Sequence, residues 1–241
     1  MKKNRFIKLA SGLLVLCLMT TCVIGATLAK YTTANDTQDS ARVAKWGVRI
    51  TAATSSVFDT EYAKDDLGYA GSLSVQSSTN VVAPGTTGDA TQFSISGTPE
   101  VAVRLSFAMT DVNEVKLTAG TYVNTDGTTV TLGSDYNPIK WTLKENGTNV
   151  TGAVDLTLAE MATFLSGYTL DYDPNTDLST TVPTYTLSWV WAFDGNDVAD
   201  TILGDLAASV SGITKGGSAI AASDYSTKVS YTLTITATQI D

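Results

Sequence analysis

The residues best suited to chemistry are four oxygen-bearing side chains that occupy alternate positions of one short segment. They are Asp171, Asp173, Asn175 and Asp177. Calcium takes carboxylate and amide oxygens from tight loops, so this spacing predicts a calcium site. The segment departs from the EF-hand pattern, which has glycine at its sixth position and glutamate at its twelfth. An ordinary acidic loop is therefore the alternative interpretation.

A second acidic group, formed by Asp194, Asn196, Asp197 and Asp200, allows the same two interpretations. Carboxylates in the first turn of a helix are stabilised by the helix dipole. A turn followed by a helix N-terminus therefore explains this group without a metal.

The composition excludes most catalytic mechanisms. The chain has no histidine, which removes the Ser-His-Asp and Cys-His triads and the HExxH zinc site. It also has no GxSxG, P-loop, GxGxxG or CxxC motif. We therefore expect no enzymatic activity and no cofactor apart from the calcium considered above. A hydrolase that uses paired carboxylates or a metal is the enzymatic alternative that is left.

The first 29 residues have the three-part pattern of a secretory signal peptide. Four basic residues, the last of them Lys8, precede a run of 21 residues without a charge. The run ends in small residues, which predicts cleavage between Ala29 and Lys30. The alternatives are cleavage after Ala26, retention as a membrane anchor and lipid attachment at Cys22.

Removal of residues 1–29 makes the chain more acidic and removes its thiols. The segment holds four of the 15 basic residues and none of the 24 acidic ones, which leaves a net charge of −13. It also holds Cys17 and Cys22, the two cysteines of the chain. An acidic surface repels nucleic acid and anionic lipid. We therefore expect a secreted protein without disulfides, without a nucleic-acid partner, and with membrane contact only through the signal segment before cleavage.

Alternation of apolar and polar residues dominates the remaining chain, and threonine, which occurs 39 times in the full sequence, supplies much of the polar half. Such alternation predicts strands with one buried face, which two antiparallel sheets can bury between them. The longest predicted strands cover residues 101–109, 185–193 and 229–238. Shorter ones carry the apolar sets Trp46/Val48/Ile50, Leu73/Val75, Phe93/Ile95, Val130/Leu132 and Ile139/Trp141/Leu143. The predicted fold class is all-β, an antiparallel β-sandwich formed by one domain over residues 43–241.

Two segments have helical rather than strand periodicity. Residues 155–166 precede Gly167, which suits a helix stop, and residues 197–209 follow Asn196, which suits an N-cap. We predict two short helices at the edges of the sandwich. Tight hairpins are predicted at two dipeptides that favour them, Asp126-Gly127 and Asn146-Gly147.

Residues 30–42 fit neither pattern. They are polar and nearly free of large apolar side chains, and they lie between the signal segment and the first predicted strand. This tail is predicted to be either disordered or an interaction segment for a partner.

Three stretches resemble the TasA/camelysin family of exported Gram-positive proteins. The most specific is GATLAKYTTAND at residues 25–36, followed by AKWGV at residues 44–48. The second is VAPGT at residues 82–86, similar to the family's PGD turn but with Thr86 in place of the acidic residue, and it leads into FSISG at 93–97 and VAVRL at 101–105. The third is the C-terminal strand, residues 228–239.

The resemblance implies a jelly-roll sandwich that serves as a structural subunit of extracellular-matrix or biofilm fibres. In that family the N-terminal tail of one mature subunit pairs with the sheet of its neighbour. Carried over to this chain, the tail ends at Arg42 and its donor strand is Lys30, Tyr31, Thr32, Thr33, Ala34, Asn35 and Asp36. The resemblance further implies processing by the family's dedicated signal peptidase (SipW-type). The implied partners are other copies of the chain and an accessory protein that anchors or nucleates the fibre.

The family has also been credited with metalloprotease activity, which the absence of histidine argues against here. The main alternative function is a monomeric cell-surface adhesin or carbohydrate-binding sandwich. Trp189 and Trp191 share one strand face. They would form a sugar-binding platform if they were exposed, whereas burial would make them core residues.

Overall fold

The computed structural model describes residues 8–19, 41–52, 56–62 and 75–240. The chain forms two compact units, Met1–Val43 and Ala44–Asp241. In the first unit residues 8–19 form a helix, α1, within the predicted signal segment. No helix among the described residues is both long and apolar enough to cross a membrane. The predicted cleavage point, Ala29–Lys30, and the predicted donor strand, Lys30–Asp36, lie outside the described residues.

The second unit consists mainly of short strands connected by turns and a few helices. In chain order its strands are β1 Arg49–Ala52, β2 Glu61–Tyr62, β3 Val75–Gln76, β4 Thr87–Thr91, β5 Phe93–Ser96, β6 Val103–Asn113, β7 Lys116–Leu117, β8 Gly120–Val123, β9 Thr129–Leu132, β10 Ile139–Glu145, β11 Thr148–Asn149, β12 Thr169–Tyr172, β13 Tyr185–Trp191, β14 Thr214–Lys215, β15 Ser218–Ala219, β16 Tyr225–Ser226 and β17 Ser230–Gln239. Its helices are α2 Leu158–Gly167, α3 Leu178–Thr181, α4 Asp197–Ala207 and a 3₁₀ turn at Ala222–Asp224.

The strands of the described residues pair antiparallel throughout. The larger sheets have the orders β11-β10-β13-β4, β12-β6-β17 and β15-β14-β8-β9. Two-stranded pairs form between β1 and β5, β7 and β16, and β2 and β3. The predicted all-β class is confirmed as a strand-rich chain with several antiparallel sheets, an arrangement consistent with a β-sandwich.

Alternation in the sequence decides which face of each strand is buried. In β13 Tyr185, Leu187, Trp189 and Trp191 are buried, and the residues between them are half-buried. β6 repeats this pattern over its first half. β17 alternates in the same way, but its apolar residues are only half-buried. It therefore keeps a partly uncovered apolar face.

Strand limits differ from the predicted ones where the backbone turns. β1 begins at Arg49, so Trp46 and Val48 precede it. Gly47 has a φ of 59°, a left-handed conformation that interrupts extended backbone. β13 ends at Trp191, two residues before the predicted end. Leu73, part of another predicted strand, lies outside the described residues.

Both predicted hairpins are confirmed. Asn146 and Gly147 connect β10 to β11 with φ values of 48° and 80°, as a type I′ turn requires. Asp126 and Gly127 lie in the turn between the antiparallel strands β8 and β9, where the Gly127 N–H donates to the Asn124 carbonyl at 3.0 Å. The Asp126 carboxylate also accepts a hydrogen bond from the Thr128 N–H at 2.8 Å, which stabilises the turn.

Helix α2 begins at a reciprocal cap. The Thr157 hydroxyl accepts from the Glu160 N–H, and the Glu160 carboxylate accepts from the Thr157 N–H, which is a capping box. The helix starts three residues later than predicted for two reasons. Asp155 has a left-handed φ of 54°, and Leu156 is paired with Trp141 of β10.

The other two α-helices also begin at side-chain caps. The prediction of a helix after Asn196 is confirmed, and the Asn196 side-chain oxygen accepts from the Ala199 N–H at the start of α4. Helix α3 has no counterpart among the sequence predictions. It is a single turn that Asp177 caps by accepting from the Ser179 N–H, and its Leu178 is fully buried.

The core of the second unit centres on β10 and β13. Trp141 and Trp189 lie opposite each other in this pair, and the ring of Phe58 contacts both, at centroid distances of 6.0 and 5.6 Å. The Trp189 Nε1–H donates to the Val57 carbonyl at 2.9 Å. The buried hydrophobic residues of the described chain all fall between Val57 and Ile213. The second unit thus contains its own core, and we expect it to fold without residues 1–43.

Gly88 of β4 should not tolerate a side chain. It pairs with Trp189, and a Cβ atom there would lie 2.4 Å from the Val57 carbonyl oxygen and 2.6 Å from Trp189 Nε1. We expect Gly88→Ala to lower the free energy of unfolding by about 3 kcal/mol, from overpacking and loss of the indole hydrogen bond. Urea denaturation measures the change.

Gly133→Ala is the matched control, because a Cβ atom at Gly133 meets nothing within 4 Å. We expect it to change the free energy of unfolding by less than about 0.5 kcal/mol. Equal destabilisation by the two substitutions would contradict the close approach at Gly88.

Candidate functional site

β17 is an edge strand with little protection. It forms one side of the β12-β6-β17 sheet and pairs with β6 along its length. Its other side faces no strand of the described chain. At 10 residues it is long for an edge, where a row of backbone N–H and C=O groups can pair with an added strand. β17 is therefore a candidate site for strand addition.

A groove runs beside this edge, between β17 and the β1–β5 pair, with a volume of about 410 Å³. Its lining residues are Ile50, Ala52, Gln92, Phe93, Tyr231, Leu233, Thr234 and Ile235. We call it the β17 groove. Six of these eight residues are apolar or aromatic and none carries a charge. A segment that offers apolar side chains would therefore be favoured there.

A β-bulge shapes one end of the β17 groove. The register between β6 and β17 shifts just before Thr232, and Asp111 of β6 has a left-handed φ of 51°. Bulges change the direction in which a neighbouring side chain points. Tyr231 packs its ring edge-on against Trp141 at 5.6 Å and donates its hydroxyl to Gln92 Oε1 at 2.9 Å. Burial raises the pKa of Tyr231 to about 12, so the hydroxyl stays a neutral donor.

The floor of the β17 groove is packed core. A small cavity of about 10 Å³ lies beneath it and shares Gln92, Phe93 and Leu233 with its lining. That space holds one water molecule at most. The hydroxyls of Tyr168 and Tyr185 are hydrogen-bonded to each other at 3.0 Å next to this cavity. An occupant would therefore lie along the groove rather than penetrate the core.

Two of the four predicted calcium ligands bind other groups of the protein. Asp171 of β12 forms a bidentate ion pair with Arg104 of β6, at 2.7 and 2.6 Å. Arg104 holds the pKa of Asp171 below its usual range. Asp177 accepts from both the N–H and the hydroxyl of Ser179, and these bonds lower its pKa in the same way.

The other two predicted ligands shape the loop between them through their backbones. The Asp173 carbonyl accepts from the Thr176 N–H and hydroxyl. Asn175 has a left-handed φ of 63°, and its N–H donates to the Pro99 carbonyl at 2.6 Å. No group of three or more His, Cys, Asp or Glu side chains among the described residues could hold a metal ion. The calcium site stays a prediction.

The second acidic group contains one buried carboxylate, Asp200 of α4. Its Oδ1 accepts from the Tyr136 hydroxyl at 2.8 Å and from the Trp191 Nε1–H at 3.2 Å. Burial raises the pKa of Asp200, and the nearby charge of Asp197 adds to that shift, while the two hydrogen bonds oppose it. Asp200 thus joins α4 to β13 through Trp191 and to the segment before β10 through Tyr136.

The two tryptophans of the carbohydrate-binding alternative are core residues. Trp189 is 2% exposed and Trp191 is 5% exposed. Neither ring can stack on a sugar without unpacking β13. Their burial contradicts the exposed pair of rings that the carbohydrate-binding alternative requires.

The sequence predicts the strands that line the β17 groove but not the groove itself. Alternation assigns Ile50, Phe93 and Leu233 to buried faces, yet it does not show which strand lies at an edge. One sequence signal was present: β17 contains no charged residue. Edge strands are usually protected by charges, prolines or bulges that prevent pairing with other chains.

No protein-family model, curated protein or solved structure matches the chain. Its own geometry and charge distribution therefore carry the functional argument.

We expect Asp200→Asn to change the pH dependence of folding stability. The pKa of Asp200 in the folded protein lies above the value of about 3.9 in an unfolded chain. The folded state therefore binds this proton more tightly, and the contribution of Asp200 to stability falls as the pH rises from about 4 through its folded pKa. Asparagine keeps the oxygen acceptor without the charge, so this decline should disappear. Urea unfolding at several pH values, compared with the wild type, measures the difference.

Asp200→Ala is the companion variant, because it leaves the Tyr136 hydroxyl and the Trp191 indole without their acceptor. We expect it to lower the free energy of unfolding by about 2 kcal/mol at neutral pH. The hydrogen-bonding role of Asp200 would be disproved if the alanine variant were as stable as the asparagine variant.

Proposed function

We propose that the chain is a secreted structural subunit that assembles with copies of itself into extracellular-matrix or biofilm fibres, as its resemblance to the TasA/camelysin family implies. The β17 groove is the observation that carries this proposal. In the proposed fibre the N-terminal tail of one subunit, residues 30–42, adds a strand to the β17 edge of the next.

A jelly-roll arrangement of the sandwich is part of the proposal. Strands that are neighbours in the sheets but distant in the chain support it: β13 lies between β10 and β4, and β6 lies between β12 and β17. Greek-key connections, which jelly rolls contain, produce such orders. A two-sheet sandwich keeps open edges that a closed barrel would remove, and β17 is one of them.

Strand addition would satisfy the β17 edge in two ways. The donor backbone would pair with the edge, and alternate donor side chains would fill the apolar groove. The donor strand Lys30–Asp36 is about 23 Å long when extended, which fits along the roughly 33 Å of β17. Tyr31 would supply the largest apolar contact, since the other donor side chains are small or polar.

The charges of the tail suit the β17 groove. Lys30 and Arg42 balance Asp36 and Asp39, so residues 30–42 have no net charge. The groove lining is also uncharged. The rest of the chain is strongly acidic, and acidic surfaces repel one another. The tail and the groove can therefore meet without that repulsion.

Donation from one subunit to the next does not close on itself. A head-to-tail contact of this kind produces open filaments rather than rings unless its rotation happens to close. The main partner is therefore another copy of the chain, and an accessory protein would anchor or nucleate the filament.

Removal of the tail should abolish filaments and leave the fold intact. We expect residues 30–241 to form filaments visible by negative-stain electron microscopy, and residues 43–241 to form none under the same conditions. Both should give the same circular dichroism and thermal unfolding, because the buried core of the described chain lies between Val57 and Ile213. Filaments of the shorter chain would rule out donation by the tail.

A lysine in the groove should block assembly of residues 30–241. Ile235 lines the β17 groove, and a charge there would oppose an apolar occupant. We expect Ile235→Lys to reduce filament yield at least tenfold in sedimentation assays. Thr236→Lys is the control, because Thr236 is exposed on the opposite face of the same strand. Similar filament yields from the two variants would exclude the β17 groove as the acceptor.

A further inference from the structure

The β11-β10-β13-β4 sheet has a second face, formed by the side chains that alternate with the buried ones. On β10 it carries Lys140, Thr142 and Lys144, and on β13 and β4 it carries Ser188 and Asp89 in the paired register. We call this second face the outer sheet face. An open groove of about 590 Å³ lies on it.

The hydroxyl groups at the centre of the outer sheet face bind their own sheet. The Ser188 hydroxyl donates to the Thr142 carbonyl at 3.1 Å. The Thr87 hydroxyl donates to the Trp189 carbonyl at 2.5 Å. Short side chains held in this way would let a second sheet approach to about 10 Å, the usual spacing of stacked sheets.

Opposite charges lie on the two sides of this centre. Lys140 and Lys144 are on β10 and Asp89 is on β4, with β13 between them. The ion pairs of the described residues include none of these three side chains. Two further carboxylates lie nearby. Hydrogen bonds with Thr157 lower the pKa of Glu160 and the charge of Lys140 adds to that shift, and Asp155 lines the same groove.

The strand register fixes the spacing of these charges. Asp89 is level with Ser188, which is level with Thr142. Lys140 and Lys144 each lie two residues from Thr142, which is about 7 Å along the strand. Neighbouring strands are about 4.8 Å apart. The carboxylate therefore lies midway between the two lysines along the strand direction, but on the opposite side of β13.

We propose that the outer sheet face pairs with the same face of a second copy, about a two-fold axis that runs along β13. This axis places β4 of one copy over β10 of the other. Asp89 then lies over Thr142 of the other copy, between Lys140 and Lys144 and within reach of their four-carbon side chains. Symmetry repeats the contact, so the pair contains two such sites.

Charge complementarity favours the two-fold axis along β13 over a two-fold axis across the strands. A two-fold axis across the strands would place β10 over β10 and bring Lys140 of one copy close to Lys144 of the other, which is repulsive. The chain as a whole has a net charge of −9, so most pairs of surfaces from two copies also repel. On the outer sheet face the charges of two copies complement each other instead.

The size of the face predicts a weak contact. The axis along β13 superposes three strands, β10, β13 and β4, because β11 of one copy lies beyond β4 of the other. Three strands and the seven residues of β10 span about 14 by 24 Å, or roughly 340 Å² per copy. Stable complexes bury about 800 Å² per partner. Isolated units should therefore associate weakly and in a salt-dependent way. Contacts repeated along a filament would be strengthened by multivalency. This proposal does not depend on the proposed function, because neither β17 nor the tail takes part.

A charge swap in the unit Ala44–Asp241 tests the proposal. One variant carries Lys140→Glu and Lys144→Glu, and the other carries Asp89→Lys. Each variant alone places like charges opposite each other, whereas a mixture of the two places opposite charges together. By sedimentation velocity in about 20 mM salt, we expect each variant alone to self-associate at least tenfold more weakly than the wild type. The mixture should associate at least as tightly as the wild type.

Lys228→Glu is the control, since Lys228 is exposed outside this face, and it should associate like the wild type. Circular dichroism and thermal unfolding of every variant confirm that it is folded. The proposal is overturned if the mixture associates no better than the separate variants, or if both variants dimerise like the wild type. The unit lacks the tail. The charge-swap result therefore tests the outer sheet face without testing filament formation by residues 30–241.

Discussion

The packing of Trp189 is the interaction on which the core of the second unit depends. Its indole N–H donates to the Val57 carbonyl at 2.9 Å, while Phe58 and Tyr62 contact the ring at 5.6 and 5.9 Å. A buried indole must have its donor satisfied as well as its ring covered. One segment above β13, residues 56–62, both accepts the indole hydrogen bond and covers the ring. That closeness is possible because Gly88 on the neighbouring strand has no side chain.

The acidic residues that suggested metal sites show how carboxylates serve the fold. Asp171 binds Arg104, Asp177 caps a helix, and Asp200 accepts from a half-buried tyrosine and a buried tryptophan. A carboxylate needs positive charge or hydrogen-bond donors whether they come from a metal ion or from the protein. Spacing along the chain cannot distinguish these two sources. The position of the donors in the folded chain can.

Two surfaces of the second unit differ from the acidic remainder. The β17 groove is uncharged and most of its lining residues are apolar or aromatic, and the outer sheet face carries charges of both signs. In an acidic chain these are places where two copies can approach without net repulsion. They belong to different sheets, so the contacts proposed for them would act independently, one extending a filament and the other pairing filaments side by side.

The sequence by itself determined the local features: which residues of β6 and β13 face the core, the turn at Asn146-Gly147, and the helix start at Asn196. These depend on side-chain alternation, backbone preference and capping within a few residues. Tertiary structure alone decided that β17 is an edge and that Asp89 is level with the middle of β10. Those features depend on pairing between strands far apart in the chain. An alternating pattern indicates which face a strand buries but not which strand lies beside it.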